Sequence, residues 1–376
     1  MTPRCLSLPA LLLLASTLSA CGDPPPAGPP PLSKEALAAV GEEPGAPRRA
    51  LARALDDLFT AQGVGETRAV VLMHEGAVVA ERYADGYDAD TRFVSWSMAK
   101  TVTAMLIGLL VSDGLLSLDQ PAPVARWQRP GDPRSAITLR HLLQMRSGLE
   151  HTEAGPVPAE SSEVQMLFLA GRDDMARWAE EQPLEAEPGE RFEYSSNTTV
   201  ILADIAARAL TDSSDPDTRR KAVLAYLETR LLEPLDVTSL VPEFDARGTM
   251  IGGSLMHATA RDWARIGDLL RTRGSYRGAQ ILPRRWVARM VEPSPASPHY
   301  GFQTWLNRPT GSDEHPLFPT RAPESLFAMI GHMGQYALMS PEQRVTLVRL
   351  GHSDAPEREA MLRAAADLLD LYPADR

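Results

Sequence analysis

Strand-like sequence lies at both ends of this chain, with a long helical stretch between. Residues 68–74 and 77–83 are apolar runs separated by Glu75-Gly76, the pattern of a tight hairpin. A short strand is expected at 93–95. Residues 327–330, 336–339 and 345–350 return to strand character, and a helix over 356–371 closes the chain. From 118 to about 260 the periodicity is helical, broken by Pro- and Gly-rich loops, with 137–146, 164–181 and 200–210 the clearest segments. The expected class is therefore α/β in the α+β sense. One mainly antiparallel sheet is flanked by terminal helices, and a helical lobe is inserted between its two halves. No internal repeat and no late linker divides the chain, so 46–376 reads as one unit.

The start of the chain carries a different signal. Arg4 precedes an apolar core over 6–18 that is too short to span a bilayer. Leu18-Ser19-Ala20-Cys21 matches a bacterial lipobox, which makes 1–20 a lipoprotein signal peptide and Cys21 the lipidated residue; an ordinary secretory signal cleaved near Ala20 is the alternative. Residues 21–45 read as the lipidated cysteine followed by a Pro-rich tether, stiff over 23–31. The expectation is an exported lipoprotein, anchored in a membrane and facing the periplasm or the cell exterior. Cys5 and Cys21 are the two cysteines. With the first removed and the second acylated, the domain has no disulfide and must rest on its core.

The formal net charge is −11, and removing residues 1–20, which hold Arg4 and no acid, makes it −12. Nucleic acid is not expected as a partner, because its binders carry a basic face. Attachment to a membrane would come through acyl chains rather than charge. The oligomeric state is not read from the sequence.

Of 38 basic residues only Lys34, Lys100 and Lys221 are lysines. One of them follows Ser97 by three positions, in Ser97-Met98-Ala99-Lys100, at the start of an expected amphipathic helix. Residues three apart share a helix face, so the Lys100 amine can reach the Ser97 hydroxyl. Lysine, unlike arginine, gives up its proton when desolvated or set beside another cation. That is the chemistry of an activated serine nucleophile. The Ser97 N–H, in the first turn, is free to point at an oxyanion. A capping serine followed by a surface lysine would leave the same trace.

Two further segments carry chemistry. In Phe192-Glu193-Tyr194-Ser195-Ser196-Asn197, Tyr194 can relay a proton if an ammonium lies beside it, and Ser196 offers a hydroxyl on the same loop. Read alone, the segment equally describes a core tyrosine and a helix cap at Ser196 or Asn197. In Gly331-His332-Met333-Gly334-Gln335, the glycines allow backbone to approach a ligand. The Gln335 N–H could then supply a second oxyanion donor, and His332 could meet a carbonyl or carboxylate; a plain turn is the other reading.

Taken in order, Ser-x-x-Lys, Tyr-x-Ser about a hundred residues on, and His-x-Gly before a final helix resemble the serine β-lactamase and penicillin-binding superfamily. The likeness is to the branch with class C β-lactamases, family VIII esterases and 6-aminohexanoate-dimer hydrolase. The stretches 137–149 and 252–262 resemble it too. The resemblance implies a β-lactamase/transpeptidase-like fold and a serine hydrolase acting through an acyl-serine. Ser97 would be nucleophile, Lys100 its base and Tyr194 the proton shuttle. Ser196 would stand where class C enzymes have Asn, with the Ser97 and Gln335 N–H groups as oxyanion hole and His332 and Gly334 lining the substrate. No metal or other cofactor is implied. His332 replaces a lysine that helps to hold a β-lactam carboxylate, which favours an esterase or amidase on a small ester, amide or peptide. A β-lactamase or DD-peptidase is the alternative, and a non-enzymatic sensor or binding lipoprotein is another.

Two other hydrolase types are excluded. Gly351-His352-Ser353-Asp354-Ala355 approaches a nucleophile elbow, but no histidine follows to complete the triad. The eight histidines are scattered without metal-ligand spacing.

Overall fold

The computed structural model describes residues 31–310 and 316–374, so the expected signal peptide, Cys21 and the first part of the expected tether lie outside the described residues. The chain begins with α1 (Lys34–Ala38), α2 (Arg48–Thr60), β1 (Glu66–His74), β2 (Ala77–Tyr83), β3 (Arg92–Val94) and α3 (Met98–Ser112). The lobe holds α4 (Leu139–Leu143), α5 (Ser162–Phe168), α6 (Met175–Glu180), α7 (Ser196–Leu210) and α8 (Pro216–Leu227). Then follow β4 (Val241–Pro242), β5 (Met256–Thr259), α9 (Ala260–Arg271), β6 (Ser275–Tyr276), β7 (Ala279–Gln280) and α10 (Arg284–Met290). β8 (Trp305–Leu306), β9 (Phe327–Gly331), β10 (Gln335–Ser340), β11 (Val345–His352) and α11 (Ala355–Leu369) complete it.

The two ends of the sequence do share one sheet. Its order is β2-β1-β11-β10-β9-β8, and every neighbouring pair is antiparallel. The first and last strands meet over the register Glu66↔His352 to His74↔Val345. Both faces are covered, which is why β1 is apolar almost throughout. Val70 and Leu72 pack against Leu51, Leu55, Leu368 and their neighbours on α2 and α11. Ala69, Val71 and Met73 join the larger core shared with α3, α7 and α9.

Three differences from the sequence expectation have physical causes. The α3 helix is not amphipathic: Met98 to Leu110 is buried on every side, because the sheet covers one face and the lobe the other. The helix expected over 164–181 is two helices. Leu169 leaves helical geometry at φ −121° and ψ −116°, and Gly171 sits where a Cβ would stand 2.6 Å from the Trp178 Cγ. Residues within the expected tether are also structured. Ser33 caps α1, Val40 bridges to Ala80 on β2, and Ala36 and Val40 are buried.

A small sheet, β3-β5-β4, carries the chain from β3 into α3. It holds the turn before Ser97 against the lobe: Ser95 N donates to Met256 O at 2.8 Å, and Met256 N donates to Ser95 Oγ at 3.2 Å.

Candidate active site

Ser97 stands at the N-terminal end of α3 with φ −65° and ψ −4°, and its side chain caps nothing. The residue before it, Trp96, is held at φ +45°, a left-handed conformation that costs a bulky side chain free energy. This sharp turn sets Ser97 at the helix mouth and lays the Trp96 ring edge-on to His332, with centroids 5.5 Å apart. Among the described residues, no backbone carbonyl takes the Ser97 N–H.

Lys100 lies one turn along α3 and is 1% exposed. Its ammonium donates to Ser97 Oγ at 2.9 Å, Ser196 Oγ at 2.7 Å and the Gly253 carbonyl at 2.9 Å. It also lies 3.3 Å from Glu153 Oε1. The Tyr194 ring centre is 4.7 Å from the same nitrogen. Thus the first two motifs read from the sequence converge on one amine. Gly253 is glycine for a steric reason: a Cβ there would stand 2.9 Å from the Ser196 carbonyl oxygen.

Of the two candidates in the second motif, Ser196 is the one that reaches Lys100. Its side chain turns toward Lys100, whereas Asn197 Nδ2 turns away to the Ser162 carbonyl at 3.3 Å. The cap of α7 is neither of these; Ser195 Oγ accepts from the Thr198 N–H. Tyr194 stands in an aromatic wall with Tyr300 and Trp305, at centroid distances of 5.8 and 5.1 Å. Burial raises the Tyr194 hydroxyl above the usual phenol range, and this outweighs the pull of the Lys100 charge and of hydrogen bonds with Ser97 and Lys100.

The third motif divides. Gly331 closely approaches protein backbone: a Cβ there would meet the Ser95 carbonyl oxygen at 2.3 Å, so β9 abuts the turn that carries Ser97. His332 is exposed beside that turn. Burial of part of its ring, with Arg358 and His352 nearby, lowers its pKa, which favours a neutral hydrogen-bonding group over a cation. Gly334 departs from the expected ligand-lining place. It is buried at φ +80°, and a Cβ would meet Arg349 Nη1 at 2.8 Å. The Gln335 side chain is likewise structural: its amide donates to the Gly351 carbonyl at 2.7 Å and its oxygen accepts from the Gly351 N–H at 3.0 Å.

Two residues of this cluster carry no sequence signal. Glu153 comes from the loop after α4 and Glu163 from the first turn of α5. Glu153 accepts from the Ser196 N–H at 2.5 Å and from Ser196 Oγ at 2.7 Å, while Glu163 Oε1 lies 3.1 Å from that hydroxyl. Their charge reverses the expected state of the lysine. Burial alone would lower the Lys100 pKa, but Glu153, Tyr194 and Glu163 outweigh burial and raise it above the ordinary lysine value. Lys100 therefore rests as an ammonium.

The Ser353 elbow-like sequence is inert. Ser353 is fully buried, its hydroxyl donates to the Val64 carbonyl at 2.6 Å, and it accepts from Arg349 at 2.7 Å.

Comparisons with known proteins place the chain in a family. The family model described as Beta-lactamase matches residues 51–371. The 6-aminohexanoate-dimer hydrolase of Paenarthrobacter ureafaciens is 25% identical over 325 residues, which is 82% of this chain and 78% of that one. A Bacillus anthracis protein assigned as a 6-aminohexanoate-dimer hydrolase superposes with a TM-score of 0.65 at 24% identity, covering 85% of this chain and 82% of its own. A family VIII carboxylesterase superposes with a TM-score of 0.58 at 16% identity, covering 85% and 95%. With its fold, its serine–lysine–tyrosine cluster and a match across most of its length, the chain belongs to the Beta-lactamase family, as a hydrolase of the serine type.

Proposed function

We propose that the protein cleaves an ester or amide of a small molecule by double displacement through an acyl-Ser97 intermediate. The observation that carries this is the single amine of Lys100, within hydrogen-bond distance of both Ser97 Oγ and Ser196 Oγ and beneath the Tyr194 ring. Lys100 takes the Ser97 proton as Oγ attacks the carbonyl. Tyr194, between Ser97 and Lys100, passes a proton to the leaving group and later draws one from the deacylating water. The Ser97 and Gln335 N–H groups are the oxyanion donors, each worth about 3 kcal/mol of barrier in comparable sites.

Ester and amide substrates are favoured over β-lactams by two features. His332, whose lowered pKa favours the neutral ring, brings no fixed charge for a lactam carboxylate. Relatives that the chain resembles are named as a 6-aminohexanoate-dimer hydrolase and a carboxylesterase, which are amide and ester hydrolases by name. The test is colour release from p-nitrophenyl butyrate beside a chromogenic cephalosporin. Faster turnover of the ester is expected. A cephalosporin turned over faster than the ester would make this a β-lactamase, and a stable adduct without turnover would make it a sensor.

We also propose that the enzyme is an exported lipoprotein tethered through acylated Cys21, a reading supported by Leu18-Ser19-Ala20-Cys21 and the proline run after it. No helix among the described residues is long and apolar enough to cross a membrane. Cys21→Ser should release the protein from the membrane fraction; retention there would exclude the lipid as tether.

A further inference from the structure

A lysine held as an ammonium cannot accept the Ser97 proton until it has given up its own. The structure offers one place for that proton. Glu153 Oε1 lies 3.3 Å from Lys100 Nζ and 2.7 Å from Ser196 Oγ, and Ser196 Oγ in turn lies 3.1 Å from Glu163 Oε1. Both carboxylates thus face one hydroxyl that carries one proton. Ser196 can donate to one of them only. If it donates to Glu153, then Glu163 needs its own proton to return a hydrogen bond to Ser196, and burial beside the Glu153 charge favours that.

We propose that Glu153 and Glu163 are positioning residues that set the charge of Lys100: the pair takes the Lys100 proton when Ser97 attacks, and it can do so only when it holds no proton already. This rests on the reading of Ser97 as nucleophile and Lys100 as its base. The protons balance within the cluster. A Lys100 N–H passes to Glu153 Oε1, leaving a neutral amine. That amine takes the Ser97 hydroxyl proton as the Oγ–carbon bond forms. When the bond to the leaving group breaks, the leaving oxygen or nitrogen takes a proton through Tyr194 from Lys100, and Glu153 returns its proton to the amine.

The consequence is a pH dependence with a defined sign. Burial first, and then the Glu153 charge, push Glu163 up to about 7. Below that pH Glu163 is protonated, the pair is already occupied, and Lys100 stays an ammonium. Reactivity should therefore rise as pH passes upward through about 7. The groups facing the pair are Lys100 from α3, Tyr194 and Ser196 from the start of α7, Tyr300 before β8, and His332 from the β9–β10 turn. Tyr194 and Tyr300 are both raised, chiefly by burial, and so stay neutral across this range. His332 titrates below its ordinary value, so it does not produce this limb.

The experiment is the rate of covalent addition of an alkyl fluorophosphonate to Ser97, followed by intact mass from pH 5 to 9. The wild type should show a limb rising through about 7. Glu163→Gln fixes that side chain in the neutral state the wild type reaches below the limb, so addition should stay slow across the whole range and the rising limb should be lost. Glu153→Gln removes the acceptor and should slow addition about 10²-fold at all pH values. A limb that stays in place in Glu163→Gln, or a flat wild-type profile, would overturn the inference while leaving Ser97 as nucleophile. No addition to Ser97 in the wild type would overturn both readings. A merely structural role for Glu163 would change the amplitude and leave the midpoint where it is.

Discussion

Lys100 and Arg349 are both cations at 1% exposure, and their surroundings are opposite in kind. Lys100 contacts two serine hydroxyls, the Tyr194 ring, the Glu153 carboxylate and the Gly253 carbonyl, with the Glu163 carboxylate next beyond Ser196. Arg349, on β11, donates to the carbonyls of Gly334, Val64 and Glu66 and to the hydroxyls of Thr67 and Ser353. Among the described residues no carboxylate forms an ion pair with it, and burial lowers its pKa to about 10. The first cation sits among groups that can exchange protons at neutral pH. The second sits mainly among groups that can only accept a fixed hydrogen bond. One arrangement serves chemistry. The other ties β1, the β9–β10 turn and the start of α11 together.

Exchange and deletion experiments can break this comparison. Ser97→Ala should have the largest effect, a loss of roughly 10⁴-fold or more in kcat with the melting temperature unchanged, measured by ester hydrolysis beside circular dichroism. Lys100→Arg keeps the charge but cannot release a proton, so kcat/KM should fall about 10²–10⁴-fold. A Lys100→Arg enzyme of near wild-type rate would remove the distinction between the two cations. Arg349→Lys should do the reverse. It leaves buried carbonyls without donors and should cost about 1–3 kcal/mol in denaturant unfolding, while the folded fraction still acylates. The smallest effect is expected for His332→Ala, which should raise KM a few-fold with little change in kcat, because a neutral, exposed ring can position substrate but takes no part in the proton path.

The same contrast explains what could be read from the sequence. The β1–β2 hairpin was legible because Glu75 and Gly76 are the two left-handed residues of its turn, at φ +54° and +87°. The three C-terminal strands were legible as apolar runs bounded by Gly and polar turns. The meeting of Ser97 and Lys100 followed from their spacing on one helix, whereas that of Tyr194 and Ser196 with them was implied only by the family resemblance. Boundaries failed where tertiary contacts decided them. The helix expected over 137–146 is only Leu139–Leu143, closed by the Thr138 cap and by Met145 at φ +53°. The amphipathic reading of α3 failed because a helix clasped on both sides needs no polar face.

The charge of Lys100 could not be read at all. Desolvation was legible in its apolar neighbours, and it points to a neutral amine. The carboxylates that reverse this lie 53 and 63 positions away, among 49 acidic residues with nothing local to mark them. Only folding the loop after α4 over α7 brings Glu153 and Glu163 onto Ser196. The roles of Gly334 and Gln335 were hidden for a similar reason, since their partners, Arg349 and Gly351, come from a neighbouring strand.

The most direct test is to trap the covalent intermediate. A brief incubation with p-nitrophenyl butyrate, an acid quench and peptide mapping should place one butyryl group on Ser97, with none in Ser97→Ala. Ester turnover at an unchanged rate in Ser97→Ala, or an acyl group on another residue, would contradict the account.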